Sequence, residues 1–210
     1  PFFKPNEVNH HFTEANGWQY SLAAPQHMQA LIDMHGGNEG MVNFLDTLFL
    51  GSSSMSGREQ ADITGMIGQY AHGNEPGHHI PYLFACAGRP SKTAERVRQV
   101  LTTMYQDTPS GLCGNEDCGQ MSAWYVFSAL GFYPVSPAGG RYTLGSPLVH
   151  SATIRLQGDK TFQIEARNNS PNLQAIAIRG IWFPCRIASG RSSRASFVGP
   201  CLASTSSRTI

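Results

Sequence analysis

The segment His72-Gly-Asn-Glu-Pro-Gly-His-His79 is the densest cluster of polar side chains in the chain. Its eight positions hold three histidines, one carboxylate and one amide, and apolar residues 80–84 follow directly. Imidazoles bind transition metals, whereas carboxylate and amide oxygens suit calcium better than zinc. The residues alone leave open a metal site, a loop that binds anions or sugars at a helix start, and a capped helix with surface histidines.

Two other segments combine carboxylates with amides and glycines. Glu14 lies within residues 13–20, and Glu116 and Asp117 lie within residues 114–120. Aromatic rings stack on the apolar face of a pyranose, while amides and carboxylates bind its hydroxyls. Two separated carboxylates can act as acid and base in glycoside hydrolysis. The pattern therefore favours a sugar site, and aromatic residues flank both segments: Trp18, Tyr20, Trp124 and Tyr125.

Structural roles are the alternative for several of these residues. Asn115, Glu116 or Asp117 could cap the helix that follows. Glu14 could be an ordinary surface residue, and Trp124 is predicted to lie in the core.

A zinc site is a weaker interpretation of the same residues. The HExxH pattern on one helix face is absent, and Pro76 would interrupt such a helix. Cys113 and Cys118 are close in sequence, but no second Cys or His pair stands at ligand spacing. A local disulfide and two free thiols both remain open for this pair.

The apolar periodicity predicts that residues 25–135 are mainly helical. Short helices with glycine-rich connections predict antiparallel hairpins packed side by side. The segment that follows the histidine cluster is predicted to start at Pro76 with Asn74 or Glu75 as its cap. Residues 119–130 are apolar almost all round, which predicts a buried helix ending at Gly131. The predicted helices span residues 27–35, 39–50, 76–87, 91–104 and 119–130, and residues 52–57 are predicted to form a loop.

The pattern changes after Pro134 to a period of two, which predicts a small β segment. Strands are predicted at residues 142–144, 152–156 and 161–166, with a further one at 174–179. The last residues, 181–210, lack Asp and Glu but contain seven Ser and four Arg. Their composition predicts either a disordered tail or a frameshifted reading frame.

Composition excludes several classes of partner. The net charge is +1, from 15 basic and 14 acidic residues, so charge gives no reason to expect binding to nucleic acid or to an anionic membrane. No apolar run is long enough to span a membrane. The chain begins with Pro1 and has no signal-peptide pattern, and we expect it to be an internal piece of a longer protein.

Three segments, in this order, resemble glycoside hydrolase family 92: residues 13–20, residues 72–79 and residues 111–134. The resemblance covers roughly residues 1–180. It implies an exo-acting α-mannosidase that depends on calcium, inverts the anomeric centre and acts on mannose-containing glycans, including N-glycans. It also implies a secreted, periplasmic or cell-surface location.

The family fold is an N-terminal β-sandwich followed by an (α/α)6 barrel. The resemblance therefore implies a mainly α chain, with residues 1–135 as later barrel helices, 136–180 as a C-terminal β segment and 181–210 as an anomalous tail. The sandwich and the early barrel helices would be partners supplied by the rest of the protein. A frameshift near Gly180 to Trp182 is the hypothesis for the tail, since the family continues there with alternating strands.

By resemblance, Asp117 matches the catalytic base, and Asn115 stands where some members carry a second Asp. Glu14 is the predicted acid, with Glu75 as the alternative. Asn74 and Glu75 are the predicted Ca²⁺ ligands. The predicted substrate contacts are Trp18, His72, His78, His79, Asn115, Glu116 and Gln120. The competing hypotheses are a carbohydrate- or calcium-binding module without catalysis and a zinc hydrolase.

Overall fold

Six α-helices precede the main strands in the computed structural model, which describes residues 4–158, 160–166 and 196–198. They are α1 (Gly17–Tyr20), α2 (Met28–Met34), α3 (Gly37–Leu50), α4 (Leu83–Cys86), α5 (Pro90–Thr103) and α6 (Gln120–Leu130). Short 3₁₀ helices lie at Pro25–His27, Glu75–Gly77, Ile80–Tyr82 and Pro137–Gly139. The predicted helices at 27–35, 39–50, 91–104 and 119–130 are thus confirmed to within a few residues. Helix periodicity was informative there because each helix buries one apolar stripe.

The continuous helix predicted over residues 76–87 is wrong. The structure has two 3₁₀ turns and the four-residue helix α4 in its place. Pro81 lacks a backbone N–H, so it cannot donate the hydrogen bond to the Gly77 carbonyl that a continuous α-helix would need. Asn74 occupies the N-cap position of the first turn, as one of the two predicted caps, but its side chain makes no capping hydrogen bond there.

Helix α6 is less buried than its composition predicted. Met121, Trp124 and Ser128 are buried, whereas Val126 is 55% exposed. Its predicted end at Gly131 is confirmed, since this glycine adopts φ +91° and its N–H bonds the Phe127 and Ser128 carbonyls.

The strands form small sheets. Strand β1 (Glu7–Val8) pairs in parallel with β2 (Ser56–Gly57), which lies in the segment predicted as a loop. Strands β3 (Met66–Ile67) and β4 (Tyr70–Ala71) form a short antiparallel hairpin just before the histidine segment. Strand β5 (Phe132–Tyr133) pairs antiparallel with β6 (Arg141–Leu144), and β7 (Ser151–Leu156) pairs antiparallel with β8 (Lys160–Glu165). Period-two alternation therefore located the three predicted strands correctly up to residue 166.

The tail is described only at β9 (Ser196–Val198), which pairs in parallel with β6. The strand predicted at 174–179 and the rest of residues 181–210 lie outside the described residues. The frameshift hypothesis stays a prediction for the nucleotide sequence to test.

One large hydrophobic cluster joins the helices to the segment that carries the histidines. Helix α2 packs on α3, α4 packs on α5, and α5 contacts α6. Trp124, Tyr82 and Phe84 are fully buried in this cluster. The chain is helix-rich with small sheets, as predicted, while the (α/α)6 barrel stays an expectation from the resemblance. In the described part of the chain, no helix is long and apolar enough to cross a membrane.

Candidate active site

Close backbone approach brings the second and third polar segments together. A Cβ atom placed on Gly114 would lie 2.5 Å from the carbonyl oxygen of Gly73, so the two loops touch at a pair of glycines. The Asn74 side chain joins the first segment to them, because its Nδ2 donates to the Glu14 carbonyl oxygen at 2.7 Å. Three segments far apart in sequence therefore meet at one place.

The carboxyl groups of Glu14 and Asp117 both act on the carboxyl group of Glu75 there, and we call these three residues the carboxylate cluster. The pKa of Glu75 is raised, first because the group is partly buried. Its own backbone N–H opposes this, but the charge of Asp117, a side-chain contact with Asp117 and the charge of Glu14 all raise the pKa further. Like charges held together favour a shared proton or a bound cation.

One oxygen of Glu75 is left without a partner. Its Oε1 is buried and accepts no hydrogen bond from any described residue. The contact with Asp117 therefore acts on the carboxyl group without satisfying this atom. A buried acceptor without a donor costs free energy, and it marks a position where a proton donor or cation would bind.

The backbone is unusual at two of the three carboxylates. Among the described non-glycine residues, only Glu14 (φ +54°), Asp117 (φ +46°) and Cys118 (φ +56°) have positive φ. Gly119 continues the left-handed turn at φ +89°. Such geometry is strained for residues with a Cβ and persists only where the surroundings impose it. This strain therefore coincides with the two predicted catalytic residues.

Glu116 serves the start of α6. Its Oε1 accepts from the backbone N–H of Ser122 at 3.0 Å, and its Oε2 accepts from the Ser122 hydroxyl at 2.8 Å. It thereby satisfies a free amide of the first helical turn. Asn115 is exposed beside it and lies 3.5 Å from an Asp62 oxygen. Of the capping alternatives, Glu116 is the residue whose side chain caps; Asp117 is exposed.

The predicted contact His72 is fully buried between two tyrosines. Its Nδ1 lies 2.7 Å from the Tyr70 hydroxyl, and its Nε2 lies 2.7 Å from the Tyr105 hydroxyl. Tyr105 uses its proton on the Met121 carbonyl, so His72 donates through Nε2 and accepts through Nδ1. Burial, then the nearby His78, lowers the pKa of His72 well below its usual range.

His78 stacks on His72 with ring centroids 4.8 Å apart. Its Nε2 donates to the His72 carbonyl at 3.0 Å, and its Nδ1 accepts from Gln120 Nε2 at 3.1 Å. Burial lowers the pKa of His78 to about 4, against the effect of its bond to the His72 carbonyl. We call His72, His78, Tyr70 and Tyr105 the histidine network, and its imidazoles are neutral near pH 7.

The remaining predicted contacts differ in exposure. His79 is buried, and its Nε2 bonds the Leu22 carbonyl at 2.7 Å. Gln120 is partly exposed and its Nε2 also donates to the Tyr133 hydroxyl at 3.3 Å, which leaves its carbonyl oxygen out of both bonds. Trp18 is partly exposed beside Phe44. Trp124 lies in the core, as predicted, and donates to the His78 carbonyl.

Calcium requires several oxygen ligands. The unpartnered Oε1 of Glu75 fits this need, and Asn74 uses its nitrogen on Glu14, which leaves its carbonyl oxygen for a cation. Within the described ranges, no three His, Cys, Asp or Glu side chains are grouped to hold a metal. The two oxygens therefore fit calcium as part of a site completed by carbonyls, water or substrate hydroxyls.

Cys113 and Cys118 form no disulfide in the structure. They are free thiols, which decides between the two alternatives left by their spacing. Burial raises the pKa of Cys113, and the charge of Glu75 raises it further, so this thiol lies near the carboxylate cluster.

The chain is similar to known proteins over most of its described length. The family model described as the glycosyl hydrolase family 92 catalytic domain matches residues 1–183. The chain belongs to glycosyl hydrolase family 92. The resemblance stated from the three segments is thus confirmed.

Solved family 92 structures superpose on most of the chain. A family 92 alpha-mannosidase from Bacteroides thetaiotaomicron is 39% identical, with a TM-score of 0.71, over 80% of this chain and 22% of its own. A family 92 inverting mannosidase from strain VPI-5482 of that species is 36% identical, with a TM-score of 0.68, over 81% of this chain and 24% of its own.

A curated relative from Arthroderma benhamiae, described as an uncharacterized secreted glycosidase, is 28% identical over 142 residues. The match covers 68% of this chain and 16% of that relative. This family 92 chain therefore spans less than a quarter of the length of each of these proteins.

Sequence reasoning missed several residues that hold the site. Tyr70 and Tyr105 were not singled out, yet their hydroxyls bond both ring nitrogens of His72. Asn16, Gln19 and Gln69 were also overlooked, although Asn16 and Gln19 stand at the spacing of a capping box. That spacing was the one available signal; the tyrosines and Gln69 gave none.

Proposed function

We propose that the full protein is a glycoside hydrolase that removes terminal α-linked mannose from glycans, N-glycans included, by calcium-assisted inverting hydrolysis. The single observation that carries the proposal is the carboxylate cluster. Three acidic side chains from three distant segments meet beside a buried, unpartnered carboxylate oxygen. Relatives that are named alpha-mannosidase and inverting mannosidase support the substrate and the stereochemistry.

In the proposed reaction, the acid protonates the leaving-group oxygen while the base activates water on the opposite face of the sugar. Glu14 is the proposed acid and Asp117 the proposed base. The exposure of Asp117 suits a residue that must reach water. Glu75 remains the alternative acid, because its raised pKa favours the protonated form that a general acid needs.

Asn74 and Glu75 are the proposed calcium ligands. A bound calcium ion would supply a hard cation that attracts sugar hydroxyls and neutralises the crowded carboxylates. Asn74 would then have two tasks, since its nitrogen also holds the Glu14 backbone. Trp18, Gln120 and Asn115 are the proposed sugar contacts that reach the surface of the described chain.

The proposed location is outside the cytoplasm. One relative is described as a secreted glycosidase, and this supports secretion of the full protein. The remaining β-sandwich and barrel helices of the family are the proposed partners of this chain within one polypeptide.

The experiment uses the full-length protein and an aryl α-mannoside. Mannose release that is lost with a chelator and restored by calcium supports the proposal. Proton NMR at early times should show the β-anomer of mannose first, because inversion changes the anomeric configuration. Sugar binding without release would favour a binding module instead, and stoichiometric zinc with zinc-dependent turnover would favour a zinc hydrolase.

A further inference from the structure

The loop that carries Glu14 rests on a buried network of amides formed by Asn16, Gln19 and Gln69. Gln69 is 4% exposed and Asn16 is fully buried. The Oε1 of Gln69 accepts from Asn16 Nδ2 at 2.8 Å. Its Nε2 donates to the Ser52 and Ser54 carbonyl oxygens at 2.5 and 3.1 Å. Both N–H donors of this amide and one acceptor position of its oxygen are thus in use.

The orientation of these amides is determined by their partners. Rotating the Gln69 amide by half a turn would place its oxygen against two carbonyl oxygens and its nitrogen against Asn16 Nδ2. Rotating Asn16 would turn its nitrogen towards the N–H groups of Trp18 and Gln19, which its Oδ1 now accepts at 3.0 and 3.3 Å. The network therefore has one self-consistent arrangement.

Gln69 is bound to both ends of the capping box that begins α1. Asn16 accepts from the first turn, and Gln19 Oε1 accepts from the Asn16 N–H at 2.8 Å. The Gln19 Nε2 then donates to the Gln69 carbonyl oxygen at 2.9 Å. The start of this four-residue helix is consequently tied, through Gln69, to the turn between β3 and β4 and to the loop after α3.

Glu14 is two residues before this anchor. It adopts φ +54°, and its carbonyl oxygen is bound by Asn74 on the other side. A strained residue keeps such a conformation only when neighbouring contacts impose it. The Asn74 bond and the amide network are the two contacts that do so here, one on the residue itself and one just beyond it.

We propose that Gln69 is a positioning residue for Glu14: its buried amide fixes the loop so that the Glu14 carboxyl lies where it protonates the leaving-group oxygen. The inference rests on the proposed function, in which Glu14 is the general acid. Gln69 touches neither substrate nor calcium in this role. It acts through Asn16 and the backbone of residues 14–16.

The leaving group provides the test. In the full-length protein, Gln69→Met keeps the side-chain length but removes the amide. We expect kcat for an alkyl α-mannoside or a mannobiose to fall on the order of 10²-fold, because a misplaced acid no longer protonates the leaving oxygen. With 2,4-dinitrophenyl α-mannoside, whose leaving group needs little protonation, we expect kcat close to that of the parent.

Two reference variants separate the possible causes. Glu14→Gln should show the same leaving-group dependence, more strongly. Thr93→Val removes a buried hydroxyl that bonds the Pro81 carbonyl and the Ala85 N–H away from the cluster, so it should lower stability without leaving-group dependence. Asn16→Asp keeps the capping oxygen but loses the donor to Gln69, which provides a second variant if Gln69→Met does not fold.

An equal loss by Gln69→Met on both substrates, as for Thr93→Val, would overturn the inference and leave Glu14 as the acid. The same holds if Asn16→Asp, used in its place, shows no leaving-group dependence. If Glu14→Gln itself shows no such dependence, the proposed role of Glu14 fails, and the inference about Gln69 fails with it.

Discussion

The histidine network and the carboxylate cluster both take residues from the segment 72–79, yet those residues differ in charge and in how fully they are hydrogen-bonded. His72 and His78 are buried, neutral and bonded through both ring nitrogens. Glu75, three residues from each of them, has a buried oxygen without a partner and a raised pKa. Histidines, which are common catalytic and metal-binding residues, stabilise the fold here. Glu75, whose carboxylate still lacks a hydrogen-bond partner, keeps the capacity to react.

The largest expected effect is the loss of kcat when the proposed base in the carboxylate cluster is removed. We expect Asp117→Asn to lower kcat by roughly 10²–10⁴-fold, because the amide cannot take a proton from water. Asp107→Asn, an equal loss of charge at an exposed position, is the matched control and should leave kcat unchanged. Steady-state kinetics and thermal unfolding of the full-length variants measure this. A near-normal rate in Asp117→Asn would refute the base assignment.

Removal of His72 should affect stability rather than chemistry. His72→Phe leaves the Tyr70 hydroxyl buried without its partner, so we expect the free energy of unfolding to fall by about 1–3 kcal/mol. The double variant Tyr70→Phe/His72→Phe should recover part of this loss, since both polar partners are then gone. Urea unfolding measures both variants. Loss of kcat at unchanged stability would instead make His72 a substrate contact.

The pH dependence of stability should also follow the histidines. The folded-state pKa values of His72, His78 and His79 are lowered by burial, with that of His78 near 4. Below pH ~6.5 the unfolded chain therefore binds protons that the folded chain does not. The contribution of these histidines to the free energy of unfolding is fully present above that pH. It is lost as the pH falls towards 4, by up to about 1.4 kcal/mol per pH unit for each histidine.

Glu75 contributes with the opposite sign, because its folded pKa is raised and its contribution is lost as the pH rises. Thermal unfolding of the full-length protein between pH 4.5 and 7 measures how steeply stability depends on pH. This range surrounds the ordinary histidine pKa. His78→Phe should reduce this slope, whereas His27→Asn, at an exposed position, should not. A slope that His78→Phe leaves intact would mean that the pKa of His78 is the same in the folded and unfolded chains.

The smallest effect is expected at Glu116, which lies beside the base but serves the helix. Glu116→Ala removes the acceptor for the Ser122 N–H and should cost about 0.5–2 kcal/mol of stability, as for other helix caps. Glu59→Ala, an exposed glutamate, is the control. If Glu116→Ala instead raises KM while stability stays unchanged, the result would support the predicted role of Glu116 as a sugar contact.

Sequence patterns predicted the long elements well and the short ones poorly. Helices α3 and α5 have 14 residues each, enough for a repeated apolar stripe to be visible. The segment after the histidines has no such repeat, and Pro81 divides it into separate turns. Strand β5 is only two residues long, and pairing with β6, rather than local sequence, makes it a strand.

The sequence indicated the candidate residues of the site but not the hydrogen bonds that connect distant segments around them. Glu14, Asn74, Glu75 and Asp117 stand out because glycines and amides surround them. Nothing in the local sequence indicates that Gln69 would bind Asn16, 53 residues away, since a lone glutamine has no periodicity and no motif. Likewise, Tyr105 meets His72 across 33 residues.

By itself, the sequence determined the family, the helix-rich character and the acidic and amide side chains available for chemistry. These depend on residue type and local spacing, which folding does not change. Only the tertiary structure decided which polar groups are satisfied. Burial keeps the histidines neutral, and hydrogen bonds between distant segments fix the amides. The approach of Gly73 to Gly114 leaves Glu75 beside Asp117 with an oxygen still to be bound.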